Sequence, residues 1–120
     1  MKTIICDIDG TIFKYSPEGH DAIANEDPEL LAGVKERFNA WEMAGHRIVL
    51  ITGRRESVRN LTEATLVDFG IPFDVLLMGH ADEGRILIND VGGRGNCKAH
   101  AVSLKRDTGM NEEDWGSVGL

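Results

Sequence analysis

Apolar residues fall in short unbroken runs: Ile4-Ile5-Cys6, Ile48-Val49-Leu50-Ile51, Val75-Leu76-Leu77 and Ile86-Leu87-Ile88. Runs of this length, rich in β-branched residues and bounded by polar or turn residues, predict buried strands. They place strands at 3–9, 47–51, 73–77 and 85–89, with a weaker fifth within 98–104. Between the first two, Leu30, Leu31, Val34, Phe38 and Trp41 recur at helical spacing. Asp27-Pro28 supplies a helix start, because Asp caps free amides and Pro tolerates the first helical position, and Gly45 supplies the stop. A second helix is predicted over 56–68, with Val58, Leu61, Thr65 and Phe69 on its inner face and Gly70 and Pro72 closing it. Residues 10–27 are polar and irregular and read as a flap-like loop or hairpin. Residues 109–120 form an acidic tail with one helical turn around Trp115. Strands alternating with amphipathic helices predict an α/β fold: a Rossmann-like parallel sheet of about five strands flanked by helices, in one domain spanning 1–120.

Composition narrows the class. The 120 residues are 42% hydrophobic and 28% charged, as expected of a globular domain with a real core. No apolar run approaches the roughly 20 residues of a membrane span, and no signal-peptide core stands at the N-terminus. Cys6 lies in a predicted buried strand and reads as a reduced packing residue, so the expected location is cytoplasmic. A net charge of −7 weighs against non-specific nucleic-acid binding, although Arg54, Arg55 and Arg59 are placed to form a local basic rim. The histidines at 20, 46, 80 and 100 lack zinc-ligand spacing.

In a parallel α/β sheet, ligands gather at the carboxyl ends of the strands. Asp7 and Asp9, Thr52 and Gly53, and Asn89 and Asp90 all fall at such ends. Side chains two apart on a strand share a face, about 7 Å from one another, so Asp7 and Asp9 can work on one group. Two carboxylates this close repel unless a cation or proton lies between them. A carboxylate pair followed by a glycine turn is therefore suited to hold a cation and attack a phosphoryl group. Taken alone, Asp-x-Asp is common in solvated loops, and Thr-Gly after a strand is an ordinary turn. Their order along this chain gives them weight together.

These residues resemble the haloacid dehalogenase (HAD) superfamily, in particular its phosphatases. Asp7-Ile8-Asp9-Gly10-Thr11 matches that family's first motif in full, Ile48 to Arg54 matches the second, and Ile86-Leu87-Ile88-Asn89-Asp90 matches the fourth, all within about residues 1–105. The resemblance implies a double displacement: Asp7 as nucleophile, an aspartyl-phosphate intermediate, and Asp9 as general acid and then base. It also implies Mg²⁺ held by Asp7, the Asp9 carbonyl and Asp90, with Asn89 in the first acidic position of the fourth motif. Thr52, with the amides of Ile8 or Asp9 and of Gly53, would meet the phosphoryl oxygens. The turn at Gly10 and the side chain of Arg54 border the same site, and the helix after Gly53 would present its N-terminus to the anion. The third-motif lysine has no direct counterpart. Arg85, Lys98 and His80 are the candidates to replace it, with Arg85 preferred.

Neither usual insertion point has room for a cap domain, so the site is expected to be open. That suits a large substrate or a lid borrowed from a second copy, and a homo-oligomer is one expectation. The favoured substrate is a small phosphorylated metabolite such as a sugar phosphate. The alternatives are a polynucleotide 3′-phosphatase and a catalytically silent module that binds phosphate or protein.

Overall fold

Three of the apolar runs pair as strands in the computed structural model, which describes residues 1–16, 27–80 and 83–120. Strands β1 (Thr3–Asp7), β2 (Arg47–Ile51) and β3 (Val75–Leu77) form a parallel sheet in the order β1-β2-β3. The register sets Cys6 beside Leu50 and Leu50 beside Leu76, three buried side chains in one row. Each crossover carries a helix: α1 (Val34–Met43) between β1 and β2, and α2 (Arg59–Asp68) between β2 and β3. Val34, Phe38 and Trp41 of α1 and Leu66 of α2 join Ile48, Leu50 and Leu76 in a single core.

The first helix starts later than the Asp27-Pro28 signal suggests. Residues 27–33 instead run beside the turn after β1, with Lys14 N–H donating to the Glu29 carbonyl and Leu31 N–H to the Ile12 carbonyl. Those long-range bonds hold the backbone away from helical geometry until Gly33, whose φ of 75° makes the entry. Before α2, Glu56–Val58 form a 3₁₀ turn. That tighter winding shifts the helical phase, so Thr62 and Leu66 point inward while Leu61 is exposed and Thr65 only half-buried.

The described residues contain three strands rather than about five. Residues 85–89 form no strand among the described residues, and Ile86 and Ile88 are about nine-tenths exposed. An apolar run becomes a strand only when a neighbour completes its ladder. Residues 98–104 likewise form no strand, although Val102 and Leu104 pack against the core. The expected flap falls mainly on residues 17–26, outside the described set.

The tail is part of the fold. Met110 N–H donates to the Ala32 carbonyl, and the Trp115 indole donates to the Met110 carbonyl at 3.0 Å. Trp115, in a 3₁₀ turn over Trp115–Val118, meets Trp41 edge-on with ring centroids 5.2 Å apart. No helix of the described residues is long and apolar enough to cross a membrane.

Candidate active site

Asp7 ends β1 opposite Ile51, so Thr52 follows one residue beyond on the adjacent strand, where strands lie about 4.8 Å apart. The chain then turns sharply. The Ile8 carbonyl accepts from the amides of Thr11, Ile12 and Phe13, and Gly10, at φ 88°, donates to the Phe13 carbonyl at 2.7 Å. Ile8, Ile12 and Phe13 are fully buried, which fixes the loop from beneath. The Gly10 amide is thus engaged within the turn and does not point to a ligand.

Asp7 is half-buried. Its carboxylate accepts from the Arg85 guanidinium at 2.9 Å and from the Thr11 hydroxyl at 3.4 Å. Of the three candidates for the missing lysine, Arg85 is the one that touches Asp7, whereas Lys98 pairs with Asp90 at 2.6 Å. Beside this site the Cys6 thiol is pushed up to about 12, first by burial and then by the Asp7 charge, with Arg85 partly opposing. It is therefore a neutral packing group and no rival nucleophile.

Asp9 has a different environment. Arg54 Nε and Nη2 bind its two carboxylate oxygens at 3.0 and 2.8 Å, and Arg54 Nη1 donates to the Thr62 hydroxyl at 3.1 Å. Both side chains are almost wholly buried, at 2% and 4% exposure. Arg54 is therefore neither a rim residue nor a free substrate contact. It is the counter-charge that makes a buried Asp9 tolerable. Thr52 is also buried, and its Oγ accepts the Arg54 amide at 3.1 Å, leaving the hydroxyl proton to donate elsewhere. Arg59, also expected on the basic rim, is bound by Glu56 and Glu63, and those bonds raise the Arg59 pKa while Arg59 lowers that of Glu56. The expected helix N-terminus does not follow Gly53 directly either, because α2 begins at Arg59.

Asn89 lines a cavity together with Asp7, whereas Asp90 does not line it. Both Asn89 and Asp90 are exposed, and the Asn89 amide donates to Asp90. The cavity, of about 660 Å³ along the edge of β1 away from β2, is lined by Asp7, Thr11, Leu87, Asn89 and Lys98 among others, but not by Asp9, Thr52 or Asp90. Among the described residues, no three of His, Cys, Asp and Glu come together to hold a metal. Two carboxylates of the set expected for Mg²⁺ are engaged by cations of this chain: Asp7 pairs with Arg85 and Asp90 with Lys98.

The sequence reading passed over two residues at this loop. Arg106 lays its side chain over Gly10, its Cγ 3.1 Å from where a Cβ would stand, and Asp107 N–H donates to the Gly10 carbonyl at 2.9 Å. Nothing in their spacing marked them, since both lie almost a hundred positions from Gly10.

No family model and no curated protein matches the chain. Among solved structures it is similar to a chain of the Pnkp1/Rnl/Hen1 complex, at 28% identity and a TM-score of 0.58, over 71% of this chain and 30% of that one. A second structure, of the Pnkp1/Rnl/Hen1 RNA repair complex, gives 29% identity, a TM-score of 0.56 and coverage of 70% and 27%. The chain thus spans under a third of those two neighbours. A protein of Vibrio cholerae matches at 19% identity, a TM-score of 0.56 and coverage of 73% and 80%. The D,D-heptose 1,7-bisphosphate phosphatase of B. bronchiseptica, complexed with magnesium and phosphate, matches at 21% identity, a TM-score of 0.50 and coverage of 69% and 52%. Together with the small parallel sheet, these likenesses support a haloacid dehalogenase-like α/β fold for this chain.

Proposed function

We propose that this chain hydrolyses phosphomonoesters, with Asp7 as nucleophile. The observation that carries the proposal is the Asp7-Ile8-Asp9-Gly10-Thr11 turn at the end of β1, with the Arg85 guanidinium 2.9 Å from the Asp7 carboxylate. A guanidinium there offsets the repulsion between a carboxylate and an incoming phosphate dianion and has donors for its oxygens. An Asp7 oxygen attacks phosphorus, the ester P–O bond breaks, and the departing oxygen takes a proton. Water then attacks the phosphorus of the acyl phosphate, releasing phosphate and restoring Asp7. Thr52, one residue past the end of β2, is assigned a phosphoryl oxygen through its hydroxyl proton. Asp9 is assigned the proton transfer, a role that needs its carboxylate to turn away from Arg54. While the bidentate pair holds, Asp9 serves as an anchor. No step is assigned to Mg²⁺, because Asp7 and Asp90 are engaged by Arg85 and Lys98.

The favoured substrate is a small phosphorylated metabolite. The net charge of −7, with Arg54 and Arg59 both paired to acids, weighs against attraction of a polynucleotide backbone. The second reading, hydrolysis of a polynucleotide terminal phosphate, draws support from the likeness to the RNA repair complex.

The test is phosphate release from sugar phosphates, nucleotides and 3′-phosphorylated oligonucleotides, with Mg²⁺ or with EDTA. Turnover best on sugar phosphates and insensitive to salt is the expected result. Turnover on oligonucleotides that falls steeply with salt selects the second reading. Absence of release from every substrate overturns the enzyme assignment in favour of a binding module.

A further inference from the structure

Arg106 and Asp107 are tied to the motif turn by contacts that phosphoryl transfer does not require. Asp107 N–H donates to the Gly10 carbonyl, and the Asp107 carboxylate accepts the Tyr15 amide at 2.7 Å. Asp107 does this at φ 65°, the one positive φ outside glycine among the described residues. A left-handed conformation is unfavourable for a side chain with a Cβ, so the neighbouring contacts hold it in place. Their effect is to lay the Arg106 stem on Gly10 and its guanidinium over the Tyr15 ring, 4.1 Å from the centroid. Gly10 is the neighbour of Thr11, whose hydroxyl contacts Asp7. A continuous chain of contacts therefore runs from the proposed nucleophile to Arg106.

A guanidinium held over an aromatic face by its cation–π attraction still has N–H donors to offer a planar or tetrahedral anion. Arg106 is exposed, and no carboxylate among the described residues forms an ion pair with it. Arg54, Arg59 and Arg85 are each committed to acids, which sets Arg106 apart from the other arginines near the motif. We infer that Arg106, held by Tyr15 and Gly10, is a specificity residue that binds a second phosphate of the substrate, beyond the phosphoryl group at Asp7. This rests on the phosphatase reading for what lies at Asp7, but the binding itself can be tested without turnover. The second phosphate could come from a doubly phosphorylated metabolite or from the phosphodiester next to a polynucleotide 3′ end.

The experiment measures binding by calorimetry to the Asp7→Asn protein, with and without Arg106→Met. Methionine keeps an apolar stem over Gly10 and removes the charge and fork, so the turn retains its packing. Two ligand pairs are compared: fructose 1,6-bisphosphate against fructose 6-phosphate, and a 3′-phosphorylated dinucleotide against a 3′-mononucleotide. In one pair, the preference for the ligand with the second phosphate should fall about tenfold on Arg106→Met, and that pair identifies the source. Arg106→Lys should recover part of it, since it restores charge without the fork. If the preference is unchanged in both pairs, or both members of each pair weaken alike, the inference fails and Arg106 is structural. If the preference depends on Arg106 while the protein with Asp7 intact releases no phosphate from any substrate, the subsite stands and the hydrolase reading is overturned instead.

Discussion

Replacing Arg54 by Met should be the most destabilising single change around the site. It removes both hydrogen bonds to the Asp9 carboxylate and the one to Thr62, in a place where the side chains of Arg54 and Asp9 are 2% and 4% exposed. Solvent-exposed pairs of this chain, such as Arg59 with Glu56, contribute far less, because water screens them. Leaving a buried carboxylate without its partner costs about 3–5 kcal/mol. A domain of 120 residues has a total stability of about 6–18 kcal/mol, so the loss is a large share of it. With an unfolding entropy near 2.1 cal/mol/K per residue, it lowers Tm by about 12–20 °C. Urea unfolding followed by tryptophan fluorescence reads this directly, because Trp41 and Trp115 are both buried against each other. The double variant Arg54→Met with Asp9→Asn removes the stranded charge and should recover part of the loss. A single-variant cost below about 1 kcal/mol would refute the buried pair as described.

Two further outcomes follow from burial. With the Cys6 thiol raised to about 12 and Cys97 exposed, iodoacetamide at pH 8 should label Cys97 alone in the native protein and both cysteines after unfolding. Fast native labelling of Cys6 would contradict its burial. Because the folded state favours the neutral Cys6 thiol, its contribution is complete below the ordinary value of 9.0 and is lost as pH rises from there toward about 12. Trp115→Ala should cost about 3–5 kcal/mol, as for a large buried aromatic. A change under about 1 kcal/mol would mean that the tail is peripheral to the core.

The three central strands were legible because each run of apolar residues has a neighbour whose register buries it, as with Cys6, Leu50 and Leu76. Ile86-Leu87-Ile88 has the same pattern, and it stays unpaired, since periodicity describes a segment and a ladder needs two. Arg85 was the preferred replacement for the third-motif lysine, and it lies 2.9 Å from the Asp7 carboxylate, a contact that the need of a strand-end carboxylate for a nearby cation makes understandable. The destination of Arg54 was harder to see. Followed by Arg55 and Glu56, it reads as a solvated helix end, and only Asp9, forty-five positions earlier, together with Thr62 gives it a buried purpose. The same holds for Arg106 and Asp107, whose meaning comes from Gly10 and Tyr15 across the fold. Long-range pairs of this kind leave no local spacing to read.

The central claim is that Asp7 takes the phosphoryl group. The most direct measurement is an acid quench during turnover of a ³²P-labelled substrate, followed by mapping of the labelled peptide. The account predicts an acid-stable, base-labile label on the peptide containing Asp7, absent from the Asp7→Asn protein, which should also release no phosphate. Undiminished phosphate release by Asp7→Asn, or label on another residue, would contradict it.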